Sequence, residues 1–143
     1  MLLAASATLA AADIPGPIQP EDIKWGPAAI LPAGAQMAVL AGNPASTGQV
    51  TLRLKLPAGY VIPPHWHPTD ERVTVVSGVL ALGVGDRVNK DKSKALKAGG
   101  YAVAPAKMNH FAWTKSGAVV QVDMMGPFGI TYVNAKDDPR TKQ

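Results

Sequence analysis

Glycine and proline punctuate this chain so regularly that a long helix has no room to form. There are 14 glycines and 13 prolines among 143 residues. Glycine weakens a regular element through its backbone entropy, and proline removes a donor from it. Between them stand short β-favourable runs: Gln36–Leu40, Gln49–Leu56, Tyr60–His65, Glu71–Ser77, Val79–Val84, Tyr101–Ala104, Asn109–Thr114, Val119–Met125 and Ile130–Val133. Turn sequences such as Gly42-Asn43-Pro44, Pro57-Ala58-Gly59, Ala98-Gly99-Gly100 and Ser116-Gly117 separate them. Short strands at this spacing predict an all-β fold, closed as a barrel or built from two sheets. Only Asn89–Leu96 has the pattern of a helical turn. The length suits one domain with a sizeable core. The absence of cysteine excludes a disulfide framework, a thiol nucleophile and any Cys-ligated metal centre.

The two ends read differently from the middle. Residues 1–12 (MLLAASATLAAA) are uncharged, apolar and small, too few to span a bilayer but suited to a secretory signal peptide. Ala10 and Ala12 offer a small-x-small cleavage site. The expectation is a secreted or periplasmic chain that starts near Asp13, with no membrane insertion once the signal is removed. Residues 13–35 carry a proline every few positions and no period, which predicts an extended arm. The folded domain is expected over 36–135, with a tail at 136–143. The formal charge is +4, and Arg87, Lys90, Lys92, Lys94 and Lys97 crowd one stretch beside Asp86 and Asp91. No aromatic residues are interleaved, as a base-stacking surface requires, so this stretch reads as a solvated loop and no nucleic-acid partner is expected.

The chemistry is concentrated in three histidines and a glutamate. His65, His67 and His110 are the chain's 3 histidines. His65 and His67 lie two apart, so on a strand both imidazoles project from one face. Glu71 shares their parity, and His110 can join them only through tertiary folding. Three imidazoles and a carboxylate that converge inside a barrel suit a first-row transition-metal ion.

The spacing strengthens this reading. Gly59, five residues, His65, one, His67, three, Glu71, six, Gly78 follows the first cupin motif at each fixed position. The second motif follows as Gly99, five residues, Pro105, then His110. Lys107 stands where the family usually has Gly, and Thr114 where it usually has Asn. Over about residues 36–125 the chain resembles the cupins, and most resembles the small, exported, single-domain bacterial ones. The resemblance implies a cupin-type jelly-roll β-barrel with one metal ion held by His65, His67, Glu71 and His110. It does not imply one reaction, since cupins include oxidases, dioxygenases, isomerases, lyases and non-catalytic binding proteins. The cupin sulfoniopropionate lyases carry a Tyr two residues after the Glu, where this chain has Val73.

A chain that folds outside the cytoplasm meets its metal where intrinsic affinity counts, and three imidazoles then favour copper, with iron, manganese and zinc behind it. No serine elbow, phosphate loop or dinucleotide fingerprint competes. The leading expectation is an oxidoreductase using O₂ or peroxide on a small phenolic or carbohydrate-type substrate. A zinc- or manganese-dependent isomerase or hydrolase and a non-catalytic metal- or ligand-binding protein remain as alternatives. Glu71 is the expected ligand and base. Gln121 is a candidate inward donor or ligand, or else a solvent-facing residue, and Tyr101 a candidate donor to substrate or a core residue. By alternation Val61, Val73, Val75 and Val103 face inward and make an apolar wall. The same alternation sends Tyr60, Ile62, Trp66, Phe111 and Trp113 outward. An outward aromatic face marks either a homodimer interface, with the arm laid across it, or a platform for ring-shaped ligands.

Overall fold

The computed structural model describes residues 16–142, so the expected signal segment at 1–12 lies outside the described residues. Ten strands follow in order: β1 (Gly26–Pro27), β2 (Gln36–Ala41), β3 (Gly48–Leu56), β4 (Val61–Trp66), β5 (Glu71–Val84), β6 (Lys94–Lys97), β7 (Tyr101–Ala104), β8 (His110–Trp113), β9 (Ala118–Gly126) and β10 (Thr131–Tyr132). The only helical pieces among the described residues are short 3₁₀ turns, one of them at Lys90–Lys92. The fold is the expected all-β jelly roll.

Every strand pairing is antiparallel. One sheet runs β1-β2-β3-β9-β5-β7 and the other β6-β5-β8-β4-β10. β5 belongs to both. The sequence suggests two strands here, but the structure has a single one of 14 residues. Its register shifts between Val75 and Ser77, and Gly78 takes φ +74°. A side chain at Gly78 would collide with the Gly117 carbonyl, so only glycine lets the strand bend from one sheet into the other.

Side chains alternate along β3, along β9 and in the first part of β5. Val50, Leu52, Leu54 and Leu56 of β3, Val73 and Val75 of β5, and Val120, Val122 and Met124 of β9 fill the interior. Thr51, Arg53, Gln121 and Asp123 take the opposite face. Each buried Leu or Val contributes on the order of 1.5–3 kcal/mol.

The arm does not extend away from the domain. Gly26 and Pro27 pair with β2, and Ala28, Leu31 and Ala35 enter the core. The Tyr60 hydroxyl donates to the Pro32 carbonyl, and the Tyr132 hydroxyl donates to the Ile30 carbonyl at 2.6 Å. The arm therefore packs on its own barrel.

The aromatic outward face is corrected by the same observations. Tyr60, Ile62 and Phe111 are buried, Phe111 to 1% exposure, while Trp66 and Trp113 are half-buried. The cause lies in β4. Ile62 pairs with Ala112 and His65 with His110, three residues on one strand against two on the other. This bulge at Pro63-Pro64, which lack backbone N–H groups, reverses the alternation. Ile62 faces the core together with His65, and Val61, opposite Trp113, faces out. Phe111 does lie on the outer side, opposite Gly83, where its ring fills the space a Gly83 side chain would need. Trp113 is covered by Ser93, which accepts from its Nε1 at 2.9 Å, and by Lys90, whose Nζ lies 4.7 Å above the ring.

Candidate metal centre

The jelly roll brings His65 from β4, His67 just beyond it, Glu71 at the start of β5 and His110 at the start of β8 to one point. One ligand atom from each lies within 4.8 Å of all the others, and all four residues are buried. β8 hydrogen-bonds to β4 on one side and to β5 on the other, which is how motifs about forty residues apart in sequence meet.

Each imidazole is oriented by a main-chain carbonyl. Nδ1 of His65 lies 2.6 Å from the Pro63 oxygen, that of His67 2.7 Å from the Gly129 oxygen, and that of His110 2.8 Å from the Met108 oxygen. A carbonyl only accepts, so each Nδ1 carries the proton and each Nε2 turns a lone pair to the centre. There the Glu71 Oε2 lies 3.1 Å from His110 Nε2 and 3.5 Å from His67 Nε2. His67 Nε2 is buried with no hydrogen-bond partner. Lone pairs that face a carboxylate at this distance need a positive charge between them. A transition-metal ion fits this donor set, and the carbonyl partners are the orienting contacts that histidine ligands ordinarily have.

The electrostatics point the same way. Burial, reinforced by the neighbouring His110 and His67, pushes the His65 pKa down to about 3, so this imidazole stays neutral. Burial also disfavours charge on His67, but the Glu71 carboxylate beside it outweighs that and raises its pKa. Burial opposes ionisation of Glu71 as well. The closeness of His110 and His67 prevails and holds its pKa well below the carboxylate range.

A cavity of about 450 Å³ opens beside the cluster and reaches His110. Its inner wall is apolar, with Val73, Leu82, Ala102 and Ala104 among the lining residues. Val73 and Val75 face inward as expected, but Val103 does not. β7 pairs Ala104 with Glu71, Ala102 with Val73 and Val103 with Arg72, and residues directly opposite on antiparallel strands share a face. The two alanines therefore face the interior, and Val103 and Tyr101 stand on the outer side of the cavity's open edge, 44% and 55% exposed. Gln121 is also turned away. It accepts from Arg53 Nε at 3.2 Å and donates to Asp123 at 3.4 Å on the outer face.

Three contributors escaped the sequence reading. Gly129 orients His67, and Arg140 Nη2 donates to the Ile130 carbonyl beside it at 2.8 Å. Lys107 N–H donates to the His67 carbonyl at 2.8 Å. A carbonyl role leaves no side-chain signal, but Lys107 was marked by its departure from the cupin pattern. Thr114, the other departure, is fully buried. Its hydroxyl donates to Val79 O at 2.7 Å and accepts from Gly117 N at 3.0 Å.

Known proteins agree with this architecture. The description of a ChrR cupin-like domain matches residues 16–126. A germin-like protein of Oryza sativa subsp. japonica is 40% identical over 77 residues, which cover 52% of this chain and 36% of the rice protein. The chain thus spans about a third of the length of that curated relative. Among solved structures, the polyketide cyclase RemF from Streptomyces resistomycificus is similar at TM-score 0.70 and 16% identity, covering 88% of this chain and 90% of that one. A protein of Methylibium petroleiphilum assigned as an acetylacetone dioxygenase is similar at TM-score 0.65 and 20% identity, covering 92% of this chain and 90% of that one. At these identities the structural likeness concerns the fold.

Proposed function

The chain belongs to the ChrR cupin-like domain family, and from that premise we propose that it is a metal-dependent oxidoreductase acting with O₂ or peroxide on a small phenolic or carbohydrate-type substrate. The observation that carries this reading is the buried meeting of three imidazole Nε2 atoms and one carboxylate beside an apolar cavity. When bound, a redox ion, with copper favoured by three imidazoles over iron and manganese, supplies electron transfer toward O₂ or peroxide. His65, His67 and His110 hold the ion through Nε2, and the Pro63, Gly129 and Met108 carbonyls keep those rings turned inward. Glu71 offsets part of the ion's charge. Its carboxylate is a weak base while His110 and His67 contact it, so it takes a substrate proton at Oε2 only once those contacts loosen. Val73, Leu82 and the inward alanines exclude water from the approach and receive an apolar ring. The dioxygenase assignment of the Methylibium relative supports an oxidative reaction.

A second reading has its own support. With Tyr101 at the outer edge and Gln121 turned away, Glu71 is left as the one carboxylate at the centre, and so few acid–base groups suit a protein that binds without converting. Elemental analysis of the purified protein, followed by O₂-electrode and peroxide assays over phenolic and carbohydrate panels, separates the two. Metal-dependent uptake lost in His67→Ala supports the oxidoreductase. A metal-loaded protein inert to both oxidants across the panels sinks it.

A further inference from the structure

The exposed lysines between β5 and β7 do not all stand on one side of the barrel. Lys90 covers Trp113 on the outside of the barrel, and Lys97 is exposed at the end of β6. Lys92 and Lys94 are exposed as well, but they also line the cavity that reaches His110. Register shows how Lys94 comes to be there. It pairs with Leu82, and Leu82 pairs on its other side with Ala112. Two residues along, Leu96 pairs with Leu80, and both pack on the core. Lys94 therefore stands on the side of the sheet that looks into the barrel, in a row otherwise apolar. Lys92 arrives from the preceding 3₁₀ turn. No aspartate or glutamate is among the residues lining this cavity.

An inward lysine on an edge strand also discourages edge-to-edge pairing between molecules. That device accounts for Lys94 alone. It does not account for a second lysine, from a different segment, on the same cavity, nor for a chamber of about 450 Å³ between those lysines and a metal-ligating histidine.

We propose that this cavity receives a small organic carboxylate with an apolar or aromatic carbon skeleton. Lys94 and Lys92 pair with the carboxylate at the rim, the skeleton lies on Val73, Leu82, Leu96 and Met108, and the far end faces the His110 side of the metal centre. The inference rests on the cavity being the approach to that centre and narrows the substrate class to anions. The volume is at the small end of ligand cavities and fits a single-ring acid. The rim charges raise local anion concentration and fix which end enters first.

The test uses benzoate and its uncharged counterpart benzyl alcohol as probes, titrated into the full chain without metal and loaded with Zn²⁺, and read by amide NMR shifts. Benzoate is expected to bind at least about 10-fold tighter than benzyl alcohol, a difference of about 1.4 kcal/mol, with shifts at Leu96, Ala102 and Met108. The preference is expected to fall to within about 2-fold in Lys94→Met, to weaken in Lys92→Met, and to survive in Lys94→Arg and Lys97→Met. Equal binding of the two probes, shifts away from the cavity, no binding at all, or a preference unchanged in both Lys94→Met and Lys92→Met would each overturn the inference. Metal content measured on the same samples separates it from the function proposed above. A protein that holds metal but shows no preference for benzoate sinks this inference alone, whereas one that prefers benzoate through Lys94 yet holds no metal sinks the oxidoreductase reading.

Discussion

Lys107 donates its backbone N–H to the carbonyl of His67 at 2.8 Å and does so from the left-handed region, at φ 63°. It is the one non-glycine residue with positive φ among the described residues, at the position where cupins usually carry glycine. The contact ties the turn before β8 to a metal ligand, and a Cβ in that conformation costs roughly 1–2 kcal/mol. Lys107→Gly removes that strain but returns entropy to the unfolded chain. The expected result is a gain of up to about 1 kcal/mol with metal affinity unchanged. Urea unfolding of the two proteins checks it, and a clear loss of stability in the glycine variant would show that the conformation carries no strain.

His67 Nε2, buried without a partner, makes metal binding a stabilising event. An ion present at about 100 times its dissociation constant is expected to add about 2.7 kcal/mol. His67→Ala should weaken binding by at least about 10–100-fold, a loss no smaller than outer contacts of metal ligands produce, and cut the thermal shift accordingly. Acid should act in the same direction. His67, raised by Glu71, takes up a proton as pH falls and competes with the ion, whereas His65, near 3, does not until much lower pH. Calorimetric unfolding with and without metal, at pH 7.5 and pH 5, measures both effects. An undiminished shift in His67→Ala would remove that residue from the ligand set.

Tyr60 sets an alkaline limit. Burial pushes its pKa up to about 12 from an unfolded value near 10, so the folded state disfavours the phenolate. The stability it contributes is complete below pH 10 and is lost as pH rises from there through about 12. Tyr132 is shifted in the same direction, again chiefly by burial, and both hydroxyls fasten the arm through Pro32 and Ile30. Denaturant midpoints measured from pH 9 to 12 are expected to fall, and Tyr60→Phe to flatten that fall while costing about 1 kcal/mol at pH 8. Parallel pH curves for the two proteins would contradict this assignment.

The metal cluster was legible because its spacing reports strand geometry directly. A two-residue step puts His65 and His67 on one face, and Glu71 opens the next strand, beyond the bend at 68–69. Tyr60 and Ile62 turn inward because alternation holds only while register holds, and the bulge at Pro63-Pro64 reverses it between Ile62 and His65. Phe111 and Trp113 do face outward but are covered by Gly83, Ser93 and Lys90. The facing of Val103 and Tyr101 depends on cross-strand register, which alternation within β7 does not supply. The pairing of Ala104 with Glu71 sends the small residues inward, and those alanines leave the cavity its space. The helical turn expected over Asn89–Leu96 is present only as the 3₁₀ turn Lys90–Lys92, because from Lys94 onward the chain pairs with β5, which overrides helix propensity at that length. Nothing local to Gly129 announces its role, which exists only because the chain returns past β4.

To that return, which β10 makes by pairing with β4, Arg140 adds an anchor. Its guanidinium donates to the Ile130 carbonyl at 2.8 Å and is itself held by Asp138 through Nε at 2.8 Å and Nη2 at 2.9 Å. Ile130 adjoins Gly129, whose carbonyl orients the His67 ring, so the C-terminal segment reaches the metal centre in three steps. Arg140→Ala leaves every candidate ligand in place. Contacts one step outside metal ligands are worth about 10–100-fold in affinity, and Arg140 acts one step further out, so a loss of about 10-fold or less is expected. Arg140→Lys keeps the charge but not the fork that spans Asp138 and Ile130, and should lose nearly as much. Competition against a chromophoric chelator measures the affinities, and a wild-type affinity in Arg140→Ala would show that the Gly129 carbonyl holds its place without this anchor.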